Sequence, residues 1–318
     1  MKILVALDAT PRSDEIVAGI AAQSWPKDTS FSLLHVLEPF PLRKAVRPLD
    51  EARDAAESLL KELASRLNAR GWPTEERVLL GRPWRQITKL AAFCGMDLIV
   101  VGSHREGAIG QLLGSTARSV LRHAPCSVEV VRGKGYSTSR AGSTSMNVLV
   151  ATDGSECSTI ALRSVSRRIW PTHTRFRVVS IPHPSMPLSS FSEKELKNII
   201  SIRHAKRYAQ SGAELLRSVG LQAESNILLP RHGDGCEIVE EAQRWPAHLI
   251  VMGSHGRRGY TRLRLGSVSE YVVQHAPCSV EVIRQTLSEA EAQRAQTPVM
   301  NVTVLKNVVD NYRNATRK

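Results

Sequence analysis

DLIVVGSHREG at 97–107 returns as HLIVMGSHGRRG at 248–259. In both copies an uninterrupted apolar run leads into Gly-Ser-His. A run such as LIVV or LIVM is apolar on both faces, which suits a central parallel strand covered by helices on either side. Working outward, RHAPCSVEVVR (122–132) returns as QHAPCSVEVIR (274–284), and KILVALDAT (2–10) is matched by NVLVATDGS (147–155). The three blocks keep their order, and a period of about 150 residues is too long for a solenoid unit. The chain therefore reads as two tandem copies of one domain, at 1–132 and 147–284. GKGYSTSRAGSTSM (133–146), rich in Gly, Ser and Thr, links them. Residues 285–318 form a tail with no counterpart in the first half.

Within each copy strand-like runs alternate with helical patterns. The first copy predicts strands at Ile3–Leu7, Phe31–Leu37, Glu76–Leu80, Leu98–Val101 and Ser127–Val131. Its helices fall at about Ser13–Ser24, Asp50–Arg70, Trp84–Cys94 and Ser115–His123. The second copy predicts strands at Val148–Ala151, Arg175–Ile181, Ala223–Leu228, Leu249–Met252 and Ser279–Ile283, with a long helix over Glu193–Val219. Gly71 and Gly220 stop the two long helices. This order gives an α/β fold, two doubly wound domains each with a five-stranded parallel sheet flanked by helices. Ligands of such sheets sit beyond the carboxyl ends of the strands, where strand order reverses.

The last strand of each copy, SVEVV or SVEVI, is too apolar for a bare edge. The two edges can pair within one chain as a pseudo-dimer, or between chains as a homodimer. In the tail, Leu287–Arg294 has helical character as far as Pro298. Leu305, Val308, Val309 and Tyr312 make a helical stripe that can dock on the body or on a second chain.

The 318 residues carry 43 Lys and Arg against 30 Asp and Glu, a net charge of +13. The basic residues are dispersed and Trp, Tyr and Phe number five each, so nucleic acid is not the expected partner. No apolar run approaches the ~20 residues of a membrane span, and the N-terminus lacks a signal-peptide pattern. The five cysteines are odd in number and form no C-x-x-C pair, which argues against a disulfide framework or a structural zinc site and fits a cytoplasmic protein.

At the strand ends of the second copy stand Gly253-Ser254-His255-Gly256 and, nine residues on, Gly266-Ser267. Bare backbone and the free amides of a helix start can cradle a polyphosphate; a plain glycine-rich connection is the alternative. This G-x2-G-x9-G-S pattern, with the VSEYVVQHAPCSVEVIR that follows, resembles the ATP-binding signature of the universal stress protein family. The resemblance covers both copies and implies Rossmann-like domains that bind ATP, with magnesium on the phosphates, in a stress-response role. It implies phosphate contacts from Gly253, Gly256, Gly266, Ser267 and Ser269. The same resemblance implies that Asp153 faces ribose or the phosphate-bound metal, that Ala151, Thr152 and Ile181 lie near the adenine, and that Met252 and Val268 pack beside it. Asp153 can also serve as a helix N-cap.

The first copy departs from the signature. Arg105 stands where the second glycine belongs, and eight residues separate it from Gly114-Ser115. Arg105 either blocks close approach of a phosphate or supplies it with a cation; Asp8 is retained. His104 and His255 hold matching loop positions, His123 and His275 matching helix ends, and Cys126 and Cys278 read as small buried residues. Arg257, Arg258, Arg262 and Arg264 cluster in the long loop. With no paired carboxylates and no G-x4-G-K-[ST] loop, one bound nucleotide per chain in a binding module is the expectation. A slow ATPase or phosphotransfer enzyme on the same site, and a basic scaffold for nucleic acid or a partner, are the rival readings.

Overall fold

The computed structural model describes residues 1–8, 10–21, 25–38, 49–103, 113–132, 145–183, 191–256 and 265–284, with Pro11 and 191–198 as backbone only. The expectations for residues 133–144, the tail, His104, Arg105 and the four loop arginines lie outside these residues.

The first half runs β1 (Lys2–Leu7), α1 (Pro11–Ala21), β2 (Ser30–Leu37), α2 (Leu49–Asn68), β3 (Thr74–Leu80), α3 (Pro83–Cys94), β4 (Leu98–Gly102), α4 (Ser115–His123) and β5 (Ser127–Val131). The second runs β6 (Asn147–Ala151), α5 (Glu156–Ser166), β7 (Arg175–Ser180), α6 (Phe191–Ser218), β8 (Gln222–Ile227), α7 (Asp234–Arg244), β9 (Leu249–Gly253), α8 (Ser267–His275) and β10 (Ser279–Ile283). The expected strands and helices are all present, with their ends shifted by no more than two residues except the expected end of α1 at Ser24, which lies outside the described residues. Two helices start two residues early, α6 at Phe191 and α1 at Pro11, a residue whose fixed φ suits a first helical position.

Helix α2 shows why the pattern folds as it does. Ala56, Leu60, Leu63, Ala64 and Leu67 are its buried residues, spaced three and four apart on one face. Gly71 and Gly220 then take positive φ, +85° and +83°, where the long helices end.

All ten strands join one sheet, in the order β3-β2-β1-β4-β5-β10-β9-β6-β7-β8. Neighbours are parallel except β5 and β10, which pair antiparallel with Val280 opposite Val130, Glu281 opposite Glu129 and Val282 opposite Val128. On one face of the sheet a single apolar cluster crosses this seam, from Leu4 and Ile99 through Val128 and Val280 to Leu149 and Ile250. On the other face each half keeps its own cluster, around Phe31 and Leu63 in the first and Phe176 and Leu216 in the second. Each such fully buried side chain contributes about 1.5–3 kcal/mol relative to exposure.

Two arginines lock the seam. Arg132, just beyond β5, donates from Nη1 to Ala276 O (2.9 Å) and from Nη2 to Val273 O (2.7 Å) and Gln274 O (3.0 Å), at the end of α8. Arg284, just beyond β10, donates from Nη1 to Ala124 O (2.9 Å) and from Nη2 to Leu121 O, at the end of α4. Each half thus supplies the guanidinium that satisfies the open carbonyls of the other half's last helix. Glu281, fully buried on β10, takes a bidentate pair from Arg168 (2.6 and 2.5 Å). Among the described residues no helix is long and apolar enough to cross a membrane.

Candidate functional site: a cleft at the strand ends of the second half

Strands β6 and β9 are neighbours from which the chain winds in opposite directions, β6 to β7 and β9 to β10. Their carboxyl ends splay the following loops apart, as at the switch point of any doubly wound sheet. The crevice there is a cleft of about 670 Å³. All eleven residues singled out by the sequence line it: Ala151, Thr152, Asp153, Ile181, Met252, Gly253, Gly256, Gly266, Ser267, Val268 and Ser269.

One end of the cleft is apolar, with Ala151, Val179, Ile181, Ile238, Met252 and Val268. The other is built from main chain and small polar groups. Here Ser254 N donates to Ile283 O (3.0 Å) and Gly266 N donates to Ser254 O (2.8 Å), so the backbone of Ser254 ties Gly266 to the end of β10. Ser269, itself buried, donates its hydroxyl to Gly253 O (2.9 Å) and spends its single proton holding that loop. Gly266 caps α8 without a side chain, which leaves the first turn to the cleft.

The glycines differ in what they permit. A Cβ on Gly253 would lie 2.8–2.9 Å from Cys157 and the Ser158 amide, so this glycine lets β9 end against the start of α5. A Cβ on Gly256 would lie 2.7 Å from Asp153 Oδ2. Bare backbone at 256 is what brings the loop up to the Asp153 carboxylate. Asp153 Oδ1 accepts the Ser155 N–H at 3.0 Å. The cap of α5 is Ser155, whose side chain accepts from Ser158 N, so the N-cap alternative for Asp153 falls to its neighbour. Thr152 holds the same turn, donating to Ser158 Oγ (3.1 Å) and accepting from Gly154 N (3.3 Å).

Several lining residues come from elements the glycine pattern does not touch: Ser158, Val179, Ser180, His183, Asp234 and Ile238. His183 Nε2 and Asp234 Oδ2 are hydrogen-bonded across the cleft mouth, from the end of β7 to the start of α7. Ser180 and His183 had a findable signal. They follow the strand beside β6, and crevice rules apply to both neighbours of the switch point.

Two buried polar atoms of lining residues lack a hydrogen-bond partner, Ser180 Oγ and His255 Nε2. Each such atom costs about 1–3 kcal/mol if left unsatisfied. His255 Nδ1 lies 3.0 Å from Ser254 Oγ. Burial first, and then the Arg284 charge, hold the His255 imidazole below its ordinary pKa, so it is neutral at neutral pH. Burial pushes the neighbouring Cys157 thiol up, and pushes Cys126 and Cys278 up to about 12, which leaves all three as unreactive thiols. His123 and His275 each bond the carbonyl four residues back in their helix, at 2.8 Å.

Fold and cleft together define a tandem doubly wound α/β protein with a crevice at the strand ends of its second half. The universal stress protein family model matches residues 1–132 and again 144–284; the chain belongs to that family, as a two-domain member. A universal stress protein of Mycolicibacterium smegmatis is 30% identical over 299 residues, spanning 89% of this chain and 96% of its own. One of Mycobacterium tuberculosis is 24% identical over 302 residues, spanning 89% and 97%. The crystal structure of a universal stress protein from Archaeoglobus fulgidus superposes with a TM-score of 0.64 at 22% identity, covering 91% of this chain and 97% of that one.

Proposed function

We propose that the chain is an ATP-binding universal stress protein that holds one adenine nucleotide, in its second half, as a regulatory module of the stress response. The observation that carries the reading is the convergence of all eleven motif residues on one cleft, apolar at one end and lined by glycine-loop backbone at the other. The groups present fit the ligand. A base can lie against Ala151, Ile181, Met252 and Val268, with Ser180 Oγ and His255 Nε2 as unsatisfied polar atoms for it and the sugar-phosphate. The amides at Gly256 and Ser267 suit a triphosphate, and the start of α8, which has no side-chain cap, favours its charge. Asp153 suits ribose or a magnesium ion shared with the phosphates, since magnesium is held by one or two carboxylates plus phosphate oxygens.

Chemistry is not required of this site; what nucleotide occupancy supplies is a difference between the filled and empty cleft that a partner can read. The domains are proposed at 1–132 and 147–284, joined by a linker at 133–146 and followed by a tail at 285–318. The pairing of β5 with β10 supports a pseudo-twofold pair within one chain. A homodimer then needs some other surface, because both last strands are taken.

Native mass spectrometry of the chain, purified without added nucleotide, tests the reading. A mass increment matching one adenine nucleotide per chain is the expected result. A chain that carries none, and takes up none when ATP is added, would overturn it.

A further inference from the structure

Away from the cleft, three side chains of unlike chemistry meet where the backbone turns into α7. His232 stands two residues ahead of the helix, and Cys236 and Glu240 follow at successive four-residue steps, the spacing that shares a helix face. His232 Nδ1 lies 3.6 Å from Glu240 Oε1. Cys236 Sγ lies 3.5 Å from the same oxygen. All three donor atoms fall within 4.8 Å of one another. The residues of α7 that line the cleft, Asp234 and Ile238, are two positions away from Cys236 and Glu240, about 200° round the helix. The cluster therefore shares no residue with the nucleotide reading and does not rest on it.

The cluster is supported from two sides. Glu237 Oε1 accepts the backbone N–H groups of Arg231 (2.7 Å) and His232 (3.0 Å), which ties the preceding turn onto the helix and fixes the base of the His232 side chain. From α8, Tyr271 lies beside the turn that carries Cys236. Its ring closes over Gly235, where a Cβ would lie 2.7 Å from Cδ1.

Two of the three separations are those of a metal site, and the third, between His232 Nδ1 and Cys236 Sγ, lies within 4.8 Å. Zinc binds nitrogen and carboxylate oxygen at about 2.0–2.1 Å and sulfur at about 2.3 Å, and tetrahedral angles then put donor pairs about 3.3–3.5 Å apart. The N···O and S···O separations of 3.6 and 3.5 Å already match this to a few tenths of an ångström. One imidazole, one thiol and one carboxylate form a borderline-soft set that suits zinc and does not suit magnesium or calcium.

We propose that His232 Nδ1, Cys236 Sγ and Glu240 Oε1 form a three-ligand zinc site at the start of α7, completed by water. On binding, the Cys236 thiol gives its proton to solvent and ligates as thiolate. The ion clasps the turn at 231–233 onto α7 and so stiffens one wall of the cleft, through Asp234 and Ile238.

Cobalt(II) titration of the full chain, without nucleotide, is the test, because a thiolate-bound tetrahedral cobalt ion absorbs in the near ultraviolet and strongly in the visible. The expected result is one ion per chain with both absorptions, displaced by zinc and unaffected by excess magnesium. Cys236→Ser should lose the near-ultraviolet band, while Cys94→Ser keeps it. His232→Ala and Glu240→Gln should each weaken zinc at least about tenfold. These two side chains are 66% and 40% exposed, so neither substitution threatens folding. A band that survives Cys236→Ser, cobalt displaced as readily by magnesium as by zinc, or no uptake at stoichiometric metal would each overturn the proposal.

Discussion

The two halves share a scaffold and differ in what fills it. At the fourth strand of the first half Ser103 N donates to Val131 O (3.0 Å) and Gly114 N to Ser103 O (2.7 Å); in the second, the matching bonds are 3.0 and 2.8 Å. The loop base is thus duplicated almost to the hydrogen bond. Around it the side chains diverge. Ser269, which ties the loop, is replaced by Ala117, and Thr152 by Leu7. Ser180, small and unpartnered in the cleft, is replaced by His35, whose ring reaches Leu7 O at 2.9 Å, over the end of the first strand. Asp8 Oδ1 is drawn back into its own loop by Thr10 N (3.3 Å), Thr10 Oγ1 (2.7 Å) and Ser13 Oγ (3.3 Å). A few side chains, on one shared backbone frame, change the polar groups that the two halves present at their matching strand ends.

The seam holds what the halves share, and breaking it should give the largest effect. Arg284→Ala leaves carbonyls at the end of α4 without their charged donor. Hydrogen bonds to a charged group are worth about 1.5–3 kcal/mol each, so we expect a loss of about 3 kcal/mol in urea unfolding. Arg132→Ala should cost a similar amount at the end of α8. A variant within about 0.5 kcal/mol of wild type would mean that the exchange does not hold the halves together.

A smaller effect separates the two strand-end glycines. A Cβ on Gly253 meets backbone at 2.8 Å, whereas one on Gly102 first meets Ile16 Cδ1 at an ordinary 3.7 Å. Gly253→Ala should cost about 1–3 kcal/mol as overpacking, and Gly102→Ala within about 0.5 kcal/mol. Equal costs in the same denaturation series would erase this distinction between the halves.

The smallest effect is in pH. Burial, and after it the Arg284 charge, depress the His255 pKa in the folded chain. As pH falls below the ordinary histidine value of about 6.5, the unfolded chain takes up this proton first. The folded state therefore loses stability from about pH 6.5 down to the depressed value, and loses no more below it. His255→Gln should flatten that part of the melting temperature against pH profile. An unchanged slope would show that His255 does not contribute.

The repeat and the ten strands were legible because each is carried by local pattern, apolar runs and strand-to-helix order; the eleven cleft residues came from the family resemblance that the glycine spacing carries. The pairing of the last strands was legible as a need, since SVEVV and SVEVI are too apolar to stand as edges. What sequence could not supply were contacts made by chain reversal. Arg132 and Arg284 carry no signal in the sequence beyond closing the repeated block, and only the antiparallel seam delivers each to the other half's helix. Ser180, His183 and Asp234 enter the cleft from β7 and α7, outside the glycine pattern. Asp153 as a helix cap was a fair reading of one residue, but Ser155 sits two positions nearer the helix and takes the bond.

The account rests on bare backbone at Gly256 beside Asp153, and calorimetric titration of ATP into wild type and Gly256→Arg tests it most directly. Gly256 is exposed, so the substitution leaves the fold intact while importing the residue of the first half. The account predicts one site per chain in wild type and no measurable heat in the variant, with unchanged circular dichroism. Equal binding by both proteins, or none by either, would contradict it.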